Sequence, residues 1–168
     1  RLIVIGGTGF LGKVWLSLLL ARFPSVGRVY LVVRGREGRD SEARFWTDVA
    51  SARPFDPLRE LHPGADYEAF LASKIEVLDA DVSRPMCGFK PERIAALNGT
   101  IDAVVNVAGV VDFNPPLDEA IHANAFGVQN LVDLARALGD VPVLHTSTCY
   151  VAGYRKGRIE EVDPRETP

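Results

Sequence analysis

The first twelve residues, Arg1-Leu2-Ile3-Val4-Ile5-Gly6-Gly7-Thr8-Gly9-Phe10-Leu11-Gly12, constrain the fold more than any other stretch. Leu2–Ile5 is a run of apolar β-formers, a glycine cluster follows directly, and a helical pattern begins at Phe10. The order is strand, tight turn, helix. The glycines satisfy two registers, Gly7-x-Gly9-x-x-Gly12 and Gly6-x-x-Gly9-x-x-Gly12. In either, one glycine allows the turn, one lets backbone approach a pyrophosphate, and one lets the helix pack close on the strand. N–H groups at the helix start, with the positive end of its dipole, can then hold phosphates. Gly6, Thr8, Gly9, Phe10, Leu11 and Gly12 are therefore candidate dinucleotide contacts. The plain alternative is a strand–helix turn with no ligand.

The rest of the chain repeats the alternation. A helix is expected over about residues 10–23, with Leu11, Val14, Trp15, Leu18 and Leu19 on one stripe, stopped by Pro24 and Gly27. A β-branched and aromatic run predicts a second strand at 28–33. About forty residues separate it from the next clear strand, far more than a crossover needs. Within them, 41–50 reads as a helix with Ser41 as candidate cap, 53–64 as an irregular excursion with three prolines, and 66–72 as a short helix. This segment is either a surface insertion or a family-specific elaboration. A third strand at 74–78 leads into Asp79-Ala80-Asp81-Val82, and a short helix at 91–97 has proline at its start. A fourth strand at 101–107, a long helix at 116–138 and a fifth strand at 141–146 follow. Strands alternating with helices predict an α/β fold, a doubly wound parallel sheet of Rossmann type with strand order 3-2-1-4-5.

Composition narrows the partners. The 168 residues suit one domain, and 47% hydrophobic with 24% charged residues is the balance of a globular one. A net charge of −3 gives no electrostatic reason to expect nucleic acid. No apolar run reaches the roughly 18 residues of a membrane span, so neither a transmembrane segment nor a signal peptide is expected. Cys87 and Cys149 lack metal-ligand spacing and read as reduced thiols of a cytoplasmic protein. His62, His122 and His145 are scattered, and no metal site is expected. The chain starts inside a strand and ends on Glu166-Thr167-Pro168 without a closing element, so it reads as a piece of a longer polypeptide.

In such a sheet a ligand lies at the carboxyl ends of the strands. The second strand ends at Arg34, about twenty residues past the glycines, where an Asp or Glu would hydrogen-bond a ribose hydroxyl and select NAD. Arg34, with Arg36 near it, offers cations for a 2′-phosphate instead and points to NADP(H). At the third strand's end Asp81 can accept from an adenine amino group with Val82 packing on the ring, or can be a turn aspartate. Asn106-Val107-Ala108-Gly109 ends the fourth strand with small residues that let backbone lie along a ribose, or that merely make room for packing. Thr146, Ser147 and Thr148 end the fifth, where a hydroxyl would face the nicotinamide end of the cleft. Capping is their other reading.

With these residues in hand the chain resembles an extended short-chain dehydrogenase/reductase, whose glycine variant is the second register above. Within that superfamily it is most similar to the fatty acyl-CoA reductase and thioester reductase branch, of the male-sterility type. The stretches that carry the likeness are Gly6 to Lys13, Leu31-Val32-Val33-Arg34-Gly35, Asp81-Val82-Ser83-Arg84-Pro85, Val105 to Leu117, Asn124-Ala125-Phe126-Gly127 and His145 to Gly153. Val-Asp-Phe-Asn-x-Pro-Leu and His-x-Ser-Thr-x-Tyr-Val-x-Gly are the specific ones.

The resemblance implies roles. Thr148 falls at the family's catalytic Ser/Thr, and Asn124 matches an asparagine that supports the site. Asp112 and Phe113 would lie beside the nicotinamide, although Asp112 is as readily a loop cap. His145 reads as a packing or locally hydrogen-bonded residue rather than a base. The family's proton donor is a tyrosine followed four residues later by lysine. Residues 30, 67, 150 and 154 are the tyrosines here, and none has a lysine at that offset. The implied entity is thus an incomplete NADP(H)-binding domain over 1–168, belonging to a reductase of long-chain acyl thioesters and not expected to turn over well alone. The substrate would be acyl-CoA, reduced to aldehyde, with reduction onward to alcohol left open. A carrier-protein thioester reductase, a nucleotide-sugar epimerase or dehydratase, and a non-catalytic cofactor-binding module are the alternatives.

Overall fold

A computed structural model describes residues 1–36, 38–112, 114–161 and 163. Phe113 and the Cys149 thiol, both named above, lie outside that description. The elements run β1 (Leu2–Ile5), α1 (Phe10–Arg22), β2 (Val29–Val32), α2 (Ser41–Arg44), α3 (Asp56–Leu61), α4 (Ala65–Lys74), β3 (Ile75–Leu78), α5 (Pro91–Leu97), β4 (Ala103–Asn106), α6 (Leu117–Ile121), α7 (Gly127–Ala137) and β5 (Val143–His145). The five strands form one sheet of order β3-β2-β1-β4-β5 in which every neighbouring pair is parallel. The fold class and strand order expected from the alternation are those observed.

Alternate side chains of the strands feed two cores, as a parallel sheet covered on both faces requires. Val4, Leu31 and Val105 face α1 and the segment between β2 and β3. Ile3, Ile5, Tyr30, Val32 and Val104 face α5 and α7. β5 is an edge strand, and its residues are exposed.

Several expectations about local structure are corrected. The fully buried face of α1 is Gly12, Leu16, Ser17 and Leu20; of the expected stripe Trp15 and Leu19 pack partly buried against the core, while Leu11 and Leu18 remain 47% and 45% exposed. The helix is apolar nearly all round, so periodicity alone does not choose a face. The choice falls to Gly12, where a Cβ would overlap the Gly6 carbonyl and lie 2.7 Å from Gly7 Cα. That contact turns Leu16 and Leu20, one and two turns on, into the core.

The others concern the segment between β2 and β3 and the helix that follows β4. Asp40, not Ser41, caps α2, its Oδ1 accepting from Ala43 N at 2.7 Å. The helix then continues as a π-helical stretch over Phe45–Ala50. The stretch expected to be irregular holds a 3-10 turn at Arg53–Phe55 and the helix α3, because Pro54 and Pro57 occupy first-turn positions where a missing N–H costs nothing. Nor is the segment a loose surface insertion. Phe45, Val49, Phe55, Leu58 and Leu71 are fully or almost fully buried against α1 and the sheet. The Arg59 guanidinium donates to the carbonyls of Ala50 at 2.5 Å and Ala52 at 3.2 Å, and the Tyr67 hydroxyl donates to Ala50 O at 2.6 Å. These close the open carbonyl end of the π-helical stretch. The long helix expected at 116–138 is likewise present, but as α6, a π-helical turn at His122–Phe126 and α7 in succession.

The Gly12 contact yields a prediction. Alanine is the better helix former by about 1 kcal/mol, yet a methyl here meets backbone that cannot rotate away, and overpacking costs about 1–3 kcal/mol. Gly12→Ala should lower Tm by a few degrees in thermal unfolding followed by circular dichroism; an unchanged or higher Tm would refute the close approach.

Candidate functional site

The carboxyl ends of β1 to β4 open onto a cavity of about 510 Å³. Of the residues singled out above, Gly6, Thr8, Arg34, Arg36, Asp81, Val82, Ala108 and Gly109 line it. Gly9, Phe10, Leu11, Gly12, Asn106, Val107, Thr146, Ser147 and Thr148 are not in its wall.

At the end of β1 the chain turns through Gly6 with φ +92°, and Gly9 N–H donates to Gly6 O at 3.1 Å. Gly9 is the N-cap residue of α1, so no side chain caps that helix, and no acidic residue stands in its first turn. The first N–H groups of the helix thus have no side-chain cap, the arrangement that favours a phosphate. Gly6 also abuts the loop after β4: a Cβ on it would overlap Ala108 N and lie 2.6 Å from Val107 C.

At the end of β2 Arg34 Nη1 reaches Asp81 Oδ2 at 3.2 Å. Arg44, which the sequence reading did not single out, enters the cavity wall from α2. Its Nη1 donates to the Arg34 carbonyl, and its Nε donates to Asp48 Oδ2 at 3.3 Å. Asp48 also receives Arg39 at 2.9 Å, so one carboxylate steadies both guanidinia. No local signal marks Arg44. Its approach to the cavity depends on how the segment between β2 and β3 packs.

At the end of β3 Asp81 Oδ1 accepts from Ser83 N at 3.0 Å and Ser83 Oγ at 2.8 Å. Its backbone N–H donates to Cys87 O at 2.9 Å. That carbonyl is delivered by three successive left-handed residues, Met86 (φ +53°), Cys87 (φ +54°) and Gly88 (φ +77°). For the two non-glycine residues this conformation costs about 1–3 kcal/mol each, and it persists only where its surroundings over-determine it. Burial, then the nearby Asp81 charge, pushes the Cys87 thiol up to about 12, so it remains protonated. Val82 is held by α7, its carbonyl accepting from Asn130 Nδ2 at 3.0 Å.

At the end of β4 the Asn106 side chain is buried, and its Oδ1 accepts from Ala108 N at 3.0 Å. Asn124, in the π-helical turn, grips Val110 on both sides, Val110 N donating to Oδ1 at 2.9 Å and Nδ2 donating to Val110 O at 3.1 Å. Asn124 therefore shapes the loop rather than the cavity wall. Asp112 Oδ1 accepts from Asn114 N at 3.0 Å, the loop-cap geometry. Asp118, Glu119 and His122 add an unforeseen polar wall from α6 and its continuation. Beyond β5, Thr148 caps a short 3-10 turn, its Oγ1 accepting from Tyr150 N at 3.2 Å. The hydroxyl proton remains available to donate elsewhere.

A glycine turn leading to an uncapped helix, beneath a cavity at the strand ends of a parallel 3-2-1-4-5 sheet, defines a Rossmann-type nucleotide-binding domain. The chain belongs to the male sterility protein family of NAD-binding domains, whose profile matches residues 4–167. It is 34% identical over 163 residues to fatty acyl-CoA reductase 1 of Gallus gallus, covering 96% of this chain and 30% of the relative. It is 30% identical over 162 residues to the chloroplastic fatty acyl-CoA reductase 2 of Arabidopsis thaliana, covering 96% of this chain and 26% of the relative. Among solved structures it resembles the reductase domain of a non-ribosomal peptide synthetase from Mycobacterium tuberculosis, with TM-score 0.71 and 25% identity over 92% of this chain and 34% of that one. The chain thus spans about a third or less of the length of these proteins. Among the described residues no helix is long and apolar enough to cross a membrane.

The Asp81 contacts predict a pH effect. Burial opposes ionisation at Asp81, but the Ser83 N–H, the Ser83 hydroxyl and the Arg34 guanidinium outweigh it and hold the carboxyl below its ordinary value. A carboxyl depressed in the native state contributes stability in full above its unfolded pKa, about 3.9, and loses it as pH falls through the native value. Asp81→Asn should therefore flatten the fall of Tm on acidification below about pH 4. Parallel Tm–pH curves for the two proteins would show that Asp81 carries none of it.

Proposed function

We propose that this chain is the NADP(H)-binding part of a reductase of acyl thioesters, with a long-chain acyl-CoA as substrate. The observation that carries the cofactor reading is the gathering of Arg34, Arg36 and Arg44 at the end of β2. An NAD site wants a carboxylate there, and three guanidinia suit the dianionic 2′-phosphate of NADP. The thioester reading rests on the kinship with fatty acyl-CoA reductases.

In this reading the N–H groups at the start of α1 receive the pyrophosphate, with Gly9 leaving room above the turn. A Cβ at Gly9 would come no closer to its neighbours than 3.4 Å, so glycine there serves the ligand rather than the packing. Asp81 accepts from the adenine amino group while Val82 covers the ring. Arg34 would then exchange its pairing with Asp81 for the phosphate. The loop 106–109 lies along the second ribose, kept in shape by Asn124. The bound dinucleotide supplies the hydride that reaches the thioester carbonyl. The Thr148 hydroxyl donates a hydrogen bond to the developing oxyanion, a contact that grows stronger in the transition state. Collapse of the adduct expels the thiol and leaves an aldehyde; a second hydride would take it to the alcohol. Since no tyrosine here carries a lysine four residues on, we assign the proton donor to the longer parent protein. A second reading, a carrier-protein thioester as substrate, is favoured by the likeness to the peptide synthetase reductase domain.

The test is absorbance at the NADPH band with the parent protein and a long-chain acyl-CoA. Oxidation of NADPH with release of free CoA is expected, and residues 1–168 alone should bind NADPH without that turnover. Binding without oxidation by the parent would shift the reading to a carrier-protein substrate or a non-catalytic module. For the cofactor, Arg34→Ala should weaken NADPH binding about ten- to a hundredfold, the worth of a charge-assisted contact, and leave NADH nearly unchanged. Arg44→Ala should act in the same direction. Equal losses for both dinucleotides, read by fluorescence titration, would remove these arginines from the 2′-phosphate.

A further inference from the structure

His145 lies on the edge strand β5 and is not in the wall of the cavity at the strand ends, yet it touches the one buried polar side chain of β4. Asn106 is 2% exposed, and its two amide ends have separate partners. Oδ1 accepts from the backbone N–H of Ala108 at 3.0 Å. A backbone N–H can only donate, so this bond identifies the oxygen and leaves Nδ2 on the opposite side. Nδ2 faces His145 Nδ1 at 3.1 Å. An amide nitrogen donates, so this contact calls for the tautomer in which Nδ1 accepts and Nε2 carries the proton.

The loop that Asn106 holds is closely placed. Ala108 N is the atom that a Cβ on Gly6 would overlap, so the turn after β1 and the loop after β4 meet backbone to backbone. Val107 N–H donates to Ile5 O at 2.9 Å and Thr146 N–H donates to Asn106 O at 2.9 Å, which tie the same three strand ends together. Turning the Asn106 amide over would set an NH₂ against the Ala108 N–H and leave a buried donor unpaired.

We propose that His145 is a positioning residue for the cofactor site: as the Nε2-protonated imidazole it fixes the Asn106 amide, and through it the Ala108 backbone against the glycine turn. It touches neither cofactor nor substrate. The consequence for cofactor affinity rests on the dinucleotide reading above; the tautomer and the loop order do not.

Three measurements on this chain test it. The ¹⁵N shifts of the His145 ring should report a bare Nδ1 and a protonated Nε2, and the opposite tautomer would overturn the inference. His145→Asn places a carbonyl oxygen near the Nδ1 position, whereas His145→Phe keeps a ring without an acceptor. Amide hydrogen exchange at Ala108 should be slow in the wild type and His145→Asn and about tenfold faster in His145→Phe. NADPH should bind wild type and His145→Asn within about twofold of each other, and His145→Phe about tenfold more weakly, with Tm recorded for all three. If both variants match the wild type, or lose equally, His145 serves packing alone. A wild type that binds no NADPH while Ala108 exchange still follows the predicted order would sink the cofactor reading and sustain the His145 lock.

Discussion

The structure depends on a close approach of backbone to backbone around Gly6. A side chain at Gly6 would occupy the space of Val107 and Ala108, and one at Gly12 would occupy that of the Gly6 carbonyl. Three elements therefore converge on one turn: β1 supplies it, α1 rests on it, and the loop after β4 closes over it. The sheet's order makes this possible, because β1 and β4 are paired neighbours in register from Leu2↔Ala103 to Ile5↔Asn106. With side chains excluded from the junction, no rotamer change can absorb a displacement. The floor of the cavity is accordingly rigid, while its cationic wall is built from long, partly exposed side chains.

That wall shows what the segment between β2 and β3 does for the fold and for the site together. Its apolar residues form much of one core, so its stability is tied to that of the sheet. Its polar residues form a chain of support: Arg59 and Tyr67 hold the end of the π-helical stretch, and Asp48 within that stretch holds Arg39 and Arg44. Arg44 is in turn bonded to the backbone of Arg34. Bringing like charges together is unfavourable, and the pairings of Arg44 with Asp48 and of Arg34 with Asp81 offset it. An anion entering between them would meet partners already oriented.

How much of this was legible in the sequence follows from which physics each feature uses. The strands are legible because runs such as Val29-Tyr30-Leu31-Val32 are apolar on both faces and bounded by turns. The strand order is legible because parallel strands joined by helices admit few topologies. The face of α1 is not, since Leu11, Val14 and Leu18 are as apolar as Leu16 and Leu20; a glycine contact decides it, and periodicity does not register contacts. Asp40 and Ser41 are adjacent capping residues, and a one-residue choice of cap lies below what pattern can resolve. In sequence Pro54 and Pro57 read as breakers, yet proline is also a helix starter, and burial of Phe55 and Leu58 settles which. Strand-end residues such as Arg34 and Asp81 could be named because their place depends only on topology. Arg44 could not, because its place depends on tertiary packing of an irregular segment.

The candidate residues also divide by where they stand in the sheet. Those proposed for the adenosine half of the dinucleotide follow β1, β2 and β3, where Arg34 reaches Asp81 and Asp81 is held further by Ser83 and the Cys87 carbonyl. Thr148 follows β5, an edge strand whose residues are exposed, and its hydroxyl caps its own turn. Grip on a dinucleotide and chemistry on a carbonyl thus make different demands of the fold. The first needs fixed backbone at the sheet's centre, which residues near Gly6 provide. The second needs a hydroxyl free to meet a substrate at the sheet's margin. Asn106 stands between the two, buried in β4, with one end of its amide on the Ala108 backbone and the other on His145 of β5. A disturbance at the margin would therefore reach the cavity wall at Ala108 through a hydrogen-bonded path of three residues.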